Sequence, residues 1–270
     1  MIERLRPGPT AVLLLALGLV VSAWLGWNQG HDNRRLLQQR FDDDAKFLVL
    51  DVVRRAGAIA RGMRGVRAFA QGTGPDGLSQ QGFLDYLATR NLATEFPGLT
   101  DARFQRRVAE ADLPAFVRGA RRELGPSFQL SQARPQGGER YVVRVVSDLS
   151  LYGAALGFDS LSDPQRVPAL RGAVRSGEVL STASLPGSDA LLNQAGRVLV
   201  VYLGTYRLGA PLANEAEREA AAVGVTSALV SVDRLLADAA TLRPGLVLAL
   251  TDTDTDTDTD TDTEIGRAHV

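Results

Sequence analysis

The stretch Ala154–Thr182, AALGFDSLSDPQRVPALRGAVRSGEVLST, decides how the chain is read. It opens with Ala154-Ala155-Leu156-Gly157-Phe158, a short apolar run that reads as a strand. Asp159 then stands where that strand ends, at the mouth of a sheet. Asp163-Pro164 reads as a helix start, because a carboxylate caps free amides and proline suits the first turn. Leu170, Ala173 and Val174 recur at helical spacing. Ser176-Gly177 closes the helix, since glycine is free to take a left-handed cap. Glu178–Thr182 is extended again, so the unit is strand, loop, helix, strand. Pro168 falls inside the helix and should kink or shorten it.

Upstream, strands are expected over Ala102–Val108, Ser127–Leu130 and Tyr141–Val146. A short helix should put Phe83, Tyr86 and Leu87 on one face, and Leu113–Leu124 reads as another. Gln71–Gly77, with three glycines and Pro75, is a loop, and Glu95-Phe96-Pro97-Gly98 is a turn. Downstream, Arg197–Tyr206 and Ala221–Val230 read as strands. Glu215–Glu219 reads as a short charged helix or turn, and Val232–Ala239 as a helix. Leu246–Leu250 begins an apolar segment of no assigned type. Strands and helices interleave irregularly and several strands are adjacent, which points to an α+β fold with antiparallel sheets.

The N-terminal region has two parts. Thr10–Trp27 is uncharged and almost wholly apolar, near the length that crosses a bilayer. Residues 10–28 are therefore expected to form a transmembrane helix, with Trp24 and Trp27 at one interface. Arg4 and Arg6 favour a cytoplasmic position for residues 1–9. The rival reading, a cleaved signal peptide, needs a small-x-small site, and Trp24-Leu25-Gly26-Trp27 is a poor one. Beyond the span, Ala45, Leu48, Val52, Ala56, Ile59, Met63, Val66 and Ala70 form a helical stripe, with Arg54, Arg55, Arg61, Arg64 and Arg67 off it. Residues 31–72 thus read as a stalk helix. It either pairs with a second copy or packs on its own domain.

Composition removes several functions. The 270 residues include no cysteine and two histidines, His31 and His269, one near each end. Disulfides and thiolate metal sites are excluded, and histidine chemistry inside the domain is not expected. No Gly-x-Ser-x-Gly elbow and no phosphate loop are present, which argues against an anchored hydrolase or transferase. Asp159 and Asp163 are better explained by a turn and a cap than by acid–base catalysis. The net charge of −1 hides an asymmetry. Residues 251–270 carry six Asp, one Glu and one Arg, which leaves a body with 29 basic and 24 acidic residues. Those charges are dispersed, with no basic block suited to nucleic acid. Thr251–Thr263 alternates Thr and Asp and lacks the glycine turn of a helix-loop-helix calcium site, so it reads as low-complexity chain. Glu264–Val270 looks like translated sequencing adaptor, and residues 251–270 are expected to be an artefact.

The same residues carry a family likeness. Gly157-Phe158-Asp159, the capped helix, Ser176-Gly177 and the following strand resemble the core signature of the CHASE family. The likeness runs from about Arg40 to Ala239 and takes in Phe83-Leu84-Asp85-Tyr86, Glu95-Phe96-Pro97-Gly98-Leu99, Tyr206-Arg207 and Val232-Asp233-Arg234-Leu235-Leu236. It implies an extracytoplasmic sensor domain over residues 78–245, built of two PAS-like α/β subdomains above the stalk. It also implies a small-ligand pocket. Plant members bind cytokinin, an adenine derivative, so an adenine-like ligand is the expectation. By the same likeness Asp159 would hydrogen-bond the ligand and Leu180 would contribute a backbone contact. Tyr202, on the next strand, would line the pocket. All three can equally be turn or core residues. Gly204-Thr205-Tyr206, where the family often has Pro-Val-Tyr, and Asp148, where proline is common, depart from its pattern. No cofactor is implied. The expected partners are the ligand, the lipid bilayer and a second copy through the stalk, in a bacterial inner membrane with the sensor domain periplasmic. The output domain, a histidine kinase or a cyclic-di-GMP enzyme, would lie beyond these residues. The alternative is a dimerising module that binds nothing.

Overall fold

The computed structural model describes residues 9–74, 77–131, 138–188 and 191–242, without the side chains of residues 9–23, 25–37, 93 and 238–242. The chain opens with one long helix, α1 (Pro9–Thr73). Two compact units divide after Asp51. In the first, the described side chains of Phe47, Val49 and Leu50 on α1 are each at least half exposed. Among the described residues no helix is long and apolar enough to cross a membrane. The side chains on which the span over residues 10–28 depends lie, Trp24 excepted, outside the described residues. So do residues 1–8, Leu246–Leu250 and the tail 251–270.

The second unit begins with the end of α1 and continues through α2 (Gln80–Ala88), α3 (Leu92–Glu95), β1 (Leu99–Val108) and α4 (Leu113–Leu124). Then come β2 (Arg140–Val146), the one-turn helix α5 (Leu149–Tyr152), α6 (Val167–Ser176), β3 (Leu180–Ser181) and β4 (Leu185–Pro186). β5 (Arg197–Tyr206), α7 (Glu215–Ala221), β6 (Ala222–Ser231) and α8 (Val232–Leu242) complete it. The six strands form one antiparallel sheet in the order β2-β1-β6-β5-β3, with β4 also on β5.

The described strands lie in one sheet, where two PAS-like subdomains are expected. β6 pairs with β1 on one side (Ala102 opposite Ala228) and with β5 on the other (Tyr202 opposite Ser227). It therefore joins strands from both halves of the sequence, and the described strands of the second unit share a single sheet. Its two faces are both covered. On one, Tyr141, Val143, Val200, Tyr202, Val225 and Leu229 pack with Leu170, Ala173 and Val174 of α6. On the other, Phe104 and Val145 meet Val66, Ala70, Phe83 and Leu87, and Leu203, Ala228 and Val230 meet Ile59, Met63, Phe96 and Leu235. The alternation of inward residues along each strand follows from the two-residue period of extended chain.

Most elements form where the sequence places them. Leu113–Leu124 and Arg197–Tyr206 match residue for residue, and Ser79 caps α2 by accepting the Gly82 N–H at 3.0 Å. The central stretch differs at its start. Residues Gly153–Ala155 form a 3-10 turn, and Phe158 and Asp159 make only isolated bridges, to Ser131 and Val142. Gly157 at φ +85° turns the backbone out of extended conformation. Ser127–Leu130 is likewise no strand. The helix begins at Val167 rather than Pro164. Pro168 has no N–H to donate and is tolerated only in a first turn, so it sets the start rather than kinking the middle. Gly177 takes the left-handed cap at φ +75°. On α1, Arg55 is buried and Ala56 exposed, the reverse of the stripe's assignment, while Ile59, Met63, Val66 and Ala70 are buried as read.

Candidate functional site

The sheet face under α6 is apolar at its margins and polar at its centre. Three strands contribute side chains there in register. β1 supplies Arg103 and Gln105, β6 supplies Ser227, and β5 supplies Tyr202. Two-residue spacing puts Arg103 and Gln105 on one face. Above them lies the segment Phe158–Arg166, which includes a 3-10 turn at Ser160–Ser162. Arg103, Gln105, Ser160, Arg166, Tyr202 and Ser227 are all 2 % exposed or less.

Some of these groups are satisfied. Gln105 Nε2 donates to Ser227 Oγ at 2.9 Å. Arg103 pairs through Nε with Asp101 and donates from Nη2 to the Leu191 carbonyl at 2.8 Å. Its guanidinium also lies over the Tyr152 ring, 5.5 Å from the centroid. Arg166 donates from Nε to Asp163 at 2.8 Å and stacks over Phe158 at 4.9 Å. Each guanidinium thus has a carboxylate partner.

Three polar atoms at the centre are not satisfied. The Tyr202 hydroxyl, Ser160 Oγ and Gln105 Oε1 are buried without a hydrogen bond among the described residues. The hydroxyl lies beside the Ser160 and Gln105 side chains, without good hydrogen-bond geometry to either. Burial raises the Tyr202 pKa, and the nearby Arg166 guanidinium opposes that rise. The group is therefore a neutral phenol, able both to donate and to accept. Buried polar side chains are bonded in the large majority of cases, so three adjacent unbonded ones are an exception that calls for a partner.

The three residues singled out in the sequence are placed differently from one another. Tyr202 is at this centre. Leu180, opposite it in register on edge strand β3, is 37 % exposed. Asp159 is fully buried at the rim. Its Oδ1 accepts the N–H groups of Tyr141 and Leu161, both at 3.1 Å, and its Oδ2 lies 3.6 Å from Arg140 Nη1. Its carboxylate thus holds the turn against β2. The sequence reading missed Arg103, Gln105, Ser160, Arg166 and Ser227. The signal that could have found the first two is the alternation Arg103-x-Gln105-x-Arg107 in a strand whose faces are both covered. Among the described residues no group of three or more His, Asp or Glu side chains is placed to hold a metal ion. The apolar cavity lined by Ile59, Met63, Leu87 and Phe96, about 20 Å³, admits no more than a water.

No curated protein matches the chain. The family model of the CHASE domain matches residues 76–261, more than half of its length, and the chain belongs to the CHASE domain family.

Proposed function

We propose that this chain is the ligand-sensing part of a membrane-anchored receptor, taking a small molecule between the sheet and the Phe158–Arg166 segment. CHASE domains are extracytoplasmic sensory domains of membrane receptors, which supports a sensory rather than catalytic role. The observation that carries the ligand reading is the buried, unbonded trio of Tyr202, Ser160 and Gln105. A ligand with an N–H donor beside an acceptor would satisfy all three, and an adenine-like edge has that pattern. Tyr202 is then the direct contact and Leu180 flanks it from β3. Asp159 contributes by holding the turn that presents Ser160, and contacts the ligand itself only if its carboxylate leaves the Tyr141 and Leu161 amides.

The route outward runs through one strand. Tyr202 faces the proposed site, while its neighbours Val201 and Leu203 face the other way and pack with Ile59 and Met63 of α1. Ligand that favours one packing of the Phe158–Arg166 cover on the sheet shifts the population of β5 positions and so biases α1. Residues 10–28 then anchor α1 in a bacterial inner membrane, with the sensor outside and a histidine kinase or cyclic-di-GMP enzyme as output. The exposed Phe47, Val49 and Leu50 favour pairing of α1 with a second copy, and would serve equally a dimerising module that binds nothing.

A thermal-shift screen of the full chain in mild detergent against purines and other small polar metabolites tests the reading. A ligand that raises the melting temperature, and whose affinity falls in Tyr202→Phe, supports it. No stabilising compound, or one bound equally well by Tyr202→Phe and Asp159→Ala, overturns it.

A further inference from the structure

On the opposite side of β1, the geometry points to a second site, for a small oxyanion, in the cleft between α4 and the outer ends of β1 and β2. This cleft holds about 550 Å³, within the range of small-molecule sites. Arg106, Arg122 and Arg144 line it with Asp112 and Glu123, while Arg107, also at its edge, turns its guanidinium to Glu139 on the other face. Glu123 is committed on both oxygens, to the Gln80 N–H at 2.6 Å and to Arg144 Nη2. Arg122 makes no ion pair among the described residues, and exposed Asp112 is the other carboxylate in the cleft. Arg106, Arg122 and Arg144 against Asp112 and Glu123 leave the cleft with a single positive charge in excess.

The second observation is Arg144 itself. Its Nη1 is buried and has no hydrogen-bond partner among the described residues. A guanidinium N–H removed from water is costly unless an acceptor meets it, and the one carboxylate beside it is already shared. The neighbouring arginines are held in place. Arg107 bonds Glu139 and donates to the Glu219 and Ala222 carbonyls, and Arg106 lies over the Phe116 ring, 5.8 Å from the centroid. On the α4 side the wall is Ala115, Gly119 and Ala120, and small side chains leave the space open. Planar guanidinium groups recognise carboxylate and phosphate oxygens in pairs. The ligand class is therefore a small molecule bearing a carboxylate or a phosphate. This site lies on the face covered by α4, not on the face under α6, and stands or falls independently of the sensing pocket.

Calorimetric titration of the full chain in mild detergent at low chloride, with inorganic phosphate in one arm and citrate in the other, tests it. At least one anion is expected to bind at one site, weakening as sodium chloride is added. Saturation by phosphate alone assigns a phosphate ligand, and by citrate alone a polycarboxylate. Arg122→Gln, at an exposed position with no ion pair among the described residues, should weaken binding by about tenfold, and Arg106→Gln by a comparable factor. Melting curves of both variants establish that they fold. Tyr202→Phe should titrate like the wild type. Failure of both anions to bind the wild type, or unchanged titrations in both arginine variants, overturns the site.

Discussion

The carboxylate of Asp159 accepts the main-chain N–H of Tyr141 at 3.1 Å, tying a turn to a sheet strand eighteen residues earlier in the chain. The same oxygen accepts the Leu161 N–H, so one atom satisfies two buried amides. Asp159→Ala strands both and should destabilise the domain by about 3 kcal/mol. Asp159→Asn keeps an acceptor oxygen but loses the pairing with Arg140, and should cost less. Urea denaturation of the two variants checks the order; equal stability of Asp159→Ala and wild type would refute the structural role.

The Tyr202 hydroxyl makes no well-formed hydrogen bond among the described residues. Removing an unsatisfied buried hydroxyl relieves desolvation without breaking a contact. Tyr202→Phe should therefore unfold at the same temperature as wild type or slightly higher, even as it loses the response to a ligand. A drop of several degrees would show that the hydroxyl is bonded in the free protein after all.

Gly157 is irreplaceable for a geometric reason. It sits at φ +85°, and a Cβ there would stand 2.1 Å from the Gln129 carbonyl oxygen. The obstacle is backbone and cannot rotate away. The left-handed conformation alone costs a non-glycine residue about 1–2 kcal/mol, and the clash adds to it. Gly157→Ala should lower the melting temperature by many degrees or abolish folding. Wild-type stability for this variant would mean that the turn before Asp159 has another shape.

Glu139 makes acid stability a local matter. Burial by itself would raise its pKa, but the hydrogen bond from Arg171 and the charge and hydrogen bond of Arg107 outweigh that and hold the carboxyl below its usual value. A depressed folded-state pKa stabilises above the unfolded value near 4.5 and is lost as pH falls through the folded value. Glu139→Gln should thus be less stable than wild type at pH 7, with the gap closing below about pH 4. Denaturant midpoints measured at both pH values decide it; a gap that widens in acid has the wrong sign.

Elements whose cues are local could be read directly from the chain. The α+β class, strands Arg197–Tyr206 and Tyr141–Val146, helix Leu113–Leu124 and the Gly177 cap all follow from side-chain period, proline and glycine, which act over a few residues. The core residues Ile59, Met63, Val66 and Ala70 of the long helix were legible for the same reason. Tertiary structure alone decided the rest. The pairing of β6 with both β1 and β5 merges the strands into one sheet, because pairing partners are chosen by what both faces can bury, not by neighbours in sequence. It also gave Asp159 its two amides and left the Tyr202 hydroxyl without a well-formed hydrogen bond among the described residues. Whether a polar atom is satisfied depends on groups brought from other strands, and no spacing along the chain encodes that.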